Sequence, residues 1–199
     1  TGAGERAFSA GADIHEMADL SVEELARRAD TRNHIFWHIA DYAKPLIGAI
    51  NGLAYGGAAL LSSSLDIRIG CEKSQFRFLA ASYGRVNSTW SLPLVVGWPR
   101  AKELLYTGRA VSAEEAERIG LLNQIVPAAK LREAAIETAQ MIAKNDPRMV
   151  QGIKKLLHEG AGLSWQERYD LEDEARGTWL LAGHPREGFK DFLARKGRR

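Results

Sequence analysis

The sequence predicts an α/β core followed by a helical C-terminal region. Two patterns carry that expectation. Short apolar runs alternate with a Gly-rich turn and a small-residue helix over residues 46–70, and from Pro99 onward helical patterns follow one another closely. The bulk numbers agree. The chain has 199 residues, 27 Lys+Arg against 25 Asp+Glu, a net charge of +2, 45% hydrophobic and 26% charged residues. These values suit a folded globular chain and exclude both intrinsic disorder and a nucleic-acid binder recognisable from its charge. One cysteine, Cys71, permits no internal disulfide and no cysteine-built metal site. A reducing, cytoplasmic location is the expectation. The chain opens on Thr1-Gly2-Ala3-Gly4 without a Met, which reads as a start in the middle of a domain.

The elements follow in order. Residues 8–13 read as a loop. Ser21, with Glu24 three positions on, opens a helix whose apolar stripe runs through Val22, Leu25, Ala26, Ala29, Ile35 and Ile39 to about Tyr42. Pro45 ends it. Residues 46–50 read as a buried strand, 58–64 as a short helix and 66–70 as a second strand. Residues 45–65 carry no charge and place Gly48, Gly52 and Gly56 four apart, the length of a membrane span. Pro45, Asn51, four glycines and three serines leave too few large apolar side chains for lipid, so no membrane association is expected. Pro99 opens a helix closed by Gly108, and Ser112 with Glu115 opens another that stops at Gly120. Residues 121–126 form a short apolar segment before Pro127. Helices are expected over 131–144, 148–158, 164–181 (with Ser164 and Glu167 as a third capping box) and 187–195. The division into core and helical region is drawn at 1–127 and 128–199.

Two loops of small residues stand where chemistry could sit: Phe8-Ser9-Ala10-Gly11-Ala12-Asp13 and Asn51-Gly52-Leu53-Ala54-Tyr55-Gly56-Gly57-Ala58. Small residues let a ligand approach the backbone and leave N–H groups free to donate. Two such donors aimed at one oxygen stabilise a developing negative charge. Each loop by itself is equally well explained by tight packing.

Taken together, these segments resemble the enoyl-CoA hydratase/isomerase (crotonase) family. The likeness rests on Phe8 through Ile14, Lys44-Pro45, Asn51-Gly52, Gly56-Gly57 and Asp66-Ile67-Arg68-Ile69. It continues through Arg100-Ala101-Lys102-Glu103-Leu104, Thr107-Gly108-Arg109, Ile119-Gly120-Leu121 and Asn123 to Pro127, in order along the whole chain. The resemblance implies a spiral of ββα units, a helical C-terminal region that builds a homotrimer or a dimer of trimers, and an acyl-CoA or enoyl-CoA thioester as substrate, with CoA arriving on the substrate and no separate cofactor. It implies the backbone N–H groups of Ala12 and Gly57 as oxyanion donors. Ser9, Ala10, Asp13 and Ile14 would line the CoA path. Tyr55 and Gly56 would lie beside the acyl group.

The chain departs from the family at the acid–base positions. Hydratases of this family carry one catalytic Glu in the helix after the Gly turn and another in the loop after the next strand. Those positions are Leu60 and Ala80 here, and neither side chain transfers a proton. The following loop, with Tyr83, Arg85, Asn87, Ser88 and Trp90, is also shorter than usual and could carry different CoA chemistry. A non-catalytic acyl-CoA binder is the alternative of another class. Asn87 and Trp90 are expected at the acyl pocket, and Glu16 and Glu72 on the surface. His34 and His38, four apart, lack a third metal ligand, so no metal site is expected.

Overall fold

The computed structural model describes residues 1–184 together with Arg186, Phe189, Leu193 and Ala194. The expected terminal helix over 187–195 therefore lies largely outside the described residues. Two compact units emerge, Thr1–Lys144 and Asn145–Arg199.

In the first unit, strands alternate between two sheets. Ile47–Ile50 (β2) enters one sheet, and Leu53–Tyr55 (β3), after the Asn51-Gly52 turn, enters the other beside Ala7–Ser9 (β1). Helix α3 (Gly57–Ser63) follows, and the pattern repeats. Ile67–Gly70 (β4) lies parallel to β2, with Ala49 opposite Ile69. Gln75–Arg77 (β5) lies parallel to β3, with Ala54 opposite Phe76. Val111–Ser112 (β6) then pairs antiparallel with β5, and Gln124–Ile125 (β7) parallel with β4. The sheet orders are β1-β3-β5-β6 and β2-β4-β7. Each strand–strand–helix passage thus adds one strand to each sheet, which is the expected ββα spiral. Strands β1, β3 and β5 were not anticipated; each has only three residues, and β1 and β3 fall in stretches that read as loop or turn.

The core between the layers is built from Ile50, Ala54, Ala59, Phe76, Phe78 and Leu104, all essentially inaccessible. A second cluster, Ala49, Ile69, Cys71 and Leu131, lies where α7 (Leu131–Ala143) packs on β2 and β4. Helix α7 thus belongs to the first unit, whose boundary falls at 144/145 where the sequence reading drew 127/128.

Several quoted motif residues hold this frame. Asn51 accepts the Gly2 N–H at 3.0 Å and donates to the Gly4 carbonyl at 2.9 Å, pinning the chain's start across the β2–β3 turn. A Cβ on Gly52 would stand 2.5 Å from the Arg6 carbonyl oxygen, so only glycine fits under that crossing. Asp66 accepts the Leu46 N–H at 2.7 Å. Arg68 is buried; its guanidinium donates to the carbonyls of Leu121, Ser62 and Leu65. Burial pushes its pKa down to about 10, against the opposing pull of Asp66. Arg109 grips Glu115 with two nitrogens at 2.6 and 2.7 Å and Glu103 at 2.9 Å, joining α5 (Trp98–Thr107) to α6 (Ala113–Arg118) and holding both carboxyls below their usual range.

Outside the sheets, Ile14–Ala18 (α1) is capped by Asp13, and Val22–Ala40 (α2) by Ser21. Ser21 and Ser112 each take the expected N–H of the Glu three residues on, but Glu24 and Glu115 bind arginines instead of closing the box. The box is complete only at Ser164, where Glu167 accepts the Ser164 N–H at 2.7 Å. Leu92–Val96 (α4) precedes α5. In the second unit, α8 spans Pro147–Glu159 and α9 spans Trp165–Gly177, ending four residues short of the expected 181. No helix of the described residues is long and apolar enough to cross a membrane.

Candidate functional site

The two small-residue loops meet. Gly11 follows β1, and at φ +89° it occupies a region open essentially to glycine. A Cβ there would lie 2.8 Å from the Tyr55 carbonyl oxygen and 3.3 Å from the Gly57 nitrogen. Ala12 is the next residue along. Gly56 makes the opposite half of the junction: at φ 56° and ψ −116° it turns β3 into α3, anchored by its N–H on the Arg77 carbonyl at 2.9 Å. Among the described residues, neither the Ala12 nor the Gly57 N–H has a hydrogen-bond acceptor. Space beside Gly57 is open, the nearest atom to a Cβ there being Phe36 Cζ at 4.0 Å.

Phe36 also lines a cavity of about 160 Å³, together with Asn33, Trp37, Leu60 and Trp90. The Trp37 and Trp90 rings meet edge to face at 5.9 Å. Leu60 is buried in α3, whose serines turn inward: Ser62 and Ser64 donate to the carbonyls one turn back, and Ser63 pairs with Ser91 at 2.8 Å. A second cavity, of about 120 Å³, adjoins Ala12 and is walled by Asp13, Glu16, Arg28, Arg32 and Arg85.

The other expected site residues divide. Ser9 accepts the Gly11 N–H at 3.3 Å and shapes the loop. Asp13 caps α1 through the N–H groups of His15 and Glu16, while Ala10 and Ile14 are exposed. Tyr55 is held by the neighbouring strand: its hydroxyl donates to Gln75, Arg77 lies over its ring, and neither cavity includes it. Ala80 starts a turn of 3-10 helix (Ala81–Tyr83) and is buried, but lines neither cavity. Asn87 accepts from the Ser88 hydroxyl at 3.1 Å and also stands outside both. Tyr83 is exposed. The two spare carboxylates are tied elsewhere: Glu16 accepts from Arg28 at 2.6 Å and Glu72 from the Ala128 N–H at 3.0 Å. His34 contacts Asp30 at 3.5 Å, and no cluster able to hold a metal occurs among the described residues.

Sequence reasoning missed the far wall. Asn33, Phe36 and Trp37 come from α2, together with Arg28 and Arg32. The adjacent aromatics Phe36-Trp37 and the arginines spaced four apart were the available signals.

The profile of the enoyl-CoA hydratase/isomerase family matches residues 1–197. The chain is a member of the enoyl-CoA hydratase/isomerase family. It is 32% identical to the short-chain-enoyl-CoA hydratase of Clostridium acetobutylicum, covering 98% of this chain and 76% of that protein. It is 31% identical to the mitochondrial enoyl-CoA hydratase of Pongo abelii, covering 97% and 67%. Among solved structures, an enoyl-CoA hydratase from Bacillus anthracis superposes with a TM-score of 0.91 at 34% identity, covering 98% of this chain and 77% of that one. Pseudomonas aeruginosa DspI superposes at 0.89 with 32% identity, covering 98% and 76%. The crotonase fold and an enzymatic role of the hydratase/isomerase type follow from this membership.

Proposed function

We propose that the protein binds an acyl-CoA or enoyl-CoA thioester with its carbonyl oxygen between the Ala12 and Gly57 N–H groups, and stabilises the thioester enolate there. The observation that carries this reading is the meeting of the two loops: the Gly11 backbone lies against Gly57, and both N–H groups lack a protein acceptor. A carbonyl oxygen gaining charge is the acceptor such a pair suits, and one donor of this kind is worth about 3–4 kcal/mol in a transition state. The reacting carbons next to the thioester face the cavity of Asn33, Phe36, Trp37, Leu60 and Trp90. CoA enters as part of the substrate. Cytoplasmic residence and a homotrimer or dimer of trimers complete the reading; exposed Trp165, Leu157 and Ile153 of the second unit supply apolar surface for subunit contacts.

The acyl cavity bears on which reaction is run. Leu60 lines it, and no carboxylate does among the described residues. Each general acid or base contributes typically about 10²–10⁴-fold. Hydration of a short enoyl-CoA by the full-length protein is therefore expected to run at least about 10³-fold below an ordinary hydratase. The same observation favours, as second reading, a different CoA-thioester reaction run by the loop of Tyr83, Arg85, Asn87, Ser88 and Trp90, or binding without turnover. A steady-state assay with crotonyl-CoA alongside calorimetry separates these. Robust hydration overturns the assignment of Leu60 and Ala80. Absence of any acyl-CoA binding overturns the oxyanion reading itself.

A further inference from the structure

The cavity beside Ala12 holds charge that the proposed reaction does not use. Beside Met17, Leu25 and Ala29, its lining includes three arginines, Arg28, Arg32 and Arg85, and two acidic residues, Asp13 and Glu16. Both carboxylates are engaged. Asp13 accepts the N–H groups of His15 and Glu16 at 2.8 and 3.2 Å, and Glu16 takes Arg28 at 2.6 Å. Arg28 also donates to Glu24 at 2.9 Å, so its charge is answered twice. Arg32, half-buried on α2, and Arg85, on the loop after the 3-10 turn, have no acidic partner among the described residues. Two arginines without an acidic partner, Arg32 half-buried and Arg85 exposed, on the lining of one small cavity suit a planar anion.

Position decides which anion. The cavity begins at Ala12, the residue proposed to hold the thioester oxygen. CoA's own phosphates lie the whole pantetheine arm away from that oxygen. The elements that wall the acyl cavity also supply the arginines: α2 gives Arg32 here and Asn33 there, and the 80–90 loop gives Arg85 here and Trp90 there. Resting on the oxyanion reading of Ala12, we infer that the acyl group of the substrate ends in a carboxylate, held by Arg32 and Arg85. The substrate class is thus a dicarboxylic acid joined to CoA at one end.

The test uses the full-length protein and two saturated ligands that cannot be hydrated, glutaryl-CoA and pentanoyl-CoA, equal in acyl carbon count and different in terminal charge. Calorimetry should find glutaryl-CoA bound at least about tenfold more tightly, the scale of one charge-assisted hydrogen bond. Arg32→Gln and Arg85→Gln should each reduce that preference, and together erase it, while pentanoyl-CoA affinity stays within about twofold. The preference should persist with glutaryl-pantetheine against pentanoyl-pantetheine, which carry no phosphates. Equal affinity of the unaltered protein for the two CoA esters overturns the inference and leaves the oxyanion reading standing. Equal weakening of both CoA esters by the substitutions overturns it too, assigning the arginines to the CoA phosphates. Failure of both esters to bind the unaltered protein removes the oxyanion reading, and this inference with it.

Discussion

Replacing Gly57 by valine separates the site from the fold. Gly57 is the first residue of α3, and its φ is not in the left-handed region, so a side chain is sterically admissible. A Cβ there meets nothing closer than Phe36 Cζ at 4.0 Å, an ordinary contact. The packing cost is near zero, and helix propensity favours Val over Gly by a few tenths of a kcal/mol. Stability should therefore be unchanged or slightly raised. The two methyl groups occupy the gap between the Gly57 N–H and the aromatic wall, where the thioester is proposed to lie. Acyl-CoA affinity should fall at least about tenfold, a loss of about 1.4 kcal/mol. The assay is calorimetry with a saturated acyl-CoA, paired with a thermal melt of both proteins. Equal affinity would remove Gly57 from the site. A melting temperature lowered by many degrees would refute the packing estimate, because it would mean that the space beside Gly57 is not open.

Gly11→Ala should do the reverse, combining φ +89° with a Cβ 2.8 Å from a backbone oxygen; unfolding by denaturant should show a loss of at least about 1 kcal/mol, and turnover should fall at least about tenfold as Ala12 is displaced. Glutamate at both Leu60 and Ala80 should raise crotonyl-CoA hydration more than either substitution alone, since a base and an acid act on one water; a double variant no faster than the better single one would count against that pairing. Glu24, held down to about 2 by Arg27 and then Arg28, supports the first turns of α2. Its folded pKa is depressed, so this support is present above the ordinary value of 4.5 and is lost as pH falls from there towards 2. Protection of the α2 amides, corrected for the intrinsic pH dependence of exchange, should fall over that window and hold in Glu24→Gln. Light scattering of the full-length protein at micromolar concentration should report a trimer or hexamer, and a monomer would refute the assembly.

The legible parts of the fold were those whose signal is local. β2, α3 and β4 announce themselves by apolar runs and a Gly turn, and α5 by Pro99 and Gly108. Strands β1, β3 and β5 did not, because a three-residue strand has no measurable period, and its identity comes from partners such as Phe76 opposite Ala54. The site divided along the same line. The family resemblance is what names Ala12 and Gly57 as the proposed donors, and the structure adds that Gly11 lies against Gly57. The α2 wall was not accessible, although the helix itself was. Its apolar stripe does not make it a core helix: none of its residues is buried, and Val22 and Ile35 are 77% and 53% exposed. The side that matters carries Arg28, Arg32, Phe36 and Trp37, residues that bound cavities and leave the core to others.

The loop after Ala80 is itself under constraint. Ser88 is fully buried with φ 60°, the one described non-glycine residue in the left-handed region. Such a conformation costs on the order of 1–3 kcal/mol and persists only where its surroundings impose it. Those surroundings are identifiable: its hydroxyl donates to Asn87, its carbonyl accepts the Leu92 N–H at 3.0 Å to start α4, and Ser91 next along joins Ser63 of α3. The tension is held between α3, which carries Leu60, and the segment that delivers Trp90 against Trp37. Both residues bound the same cavity, so the strained turn and Leu60 shape one space. Apolar side chains wall that cavity, and the lower dielectric they create would strengthen the donation to a carbonyl oxygen proposed for the Ala12 and Gly57 N–H groups.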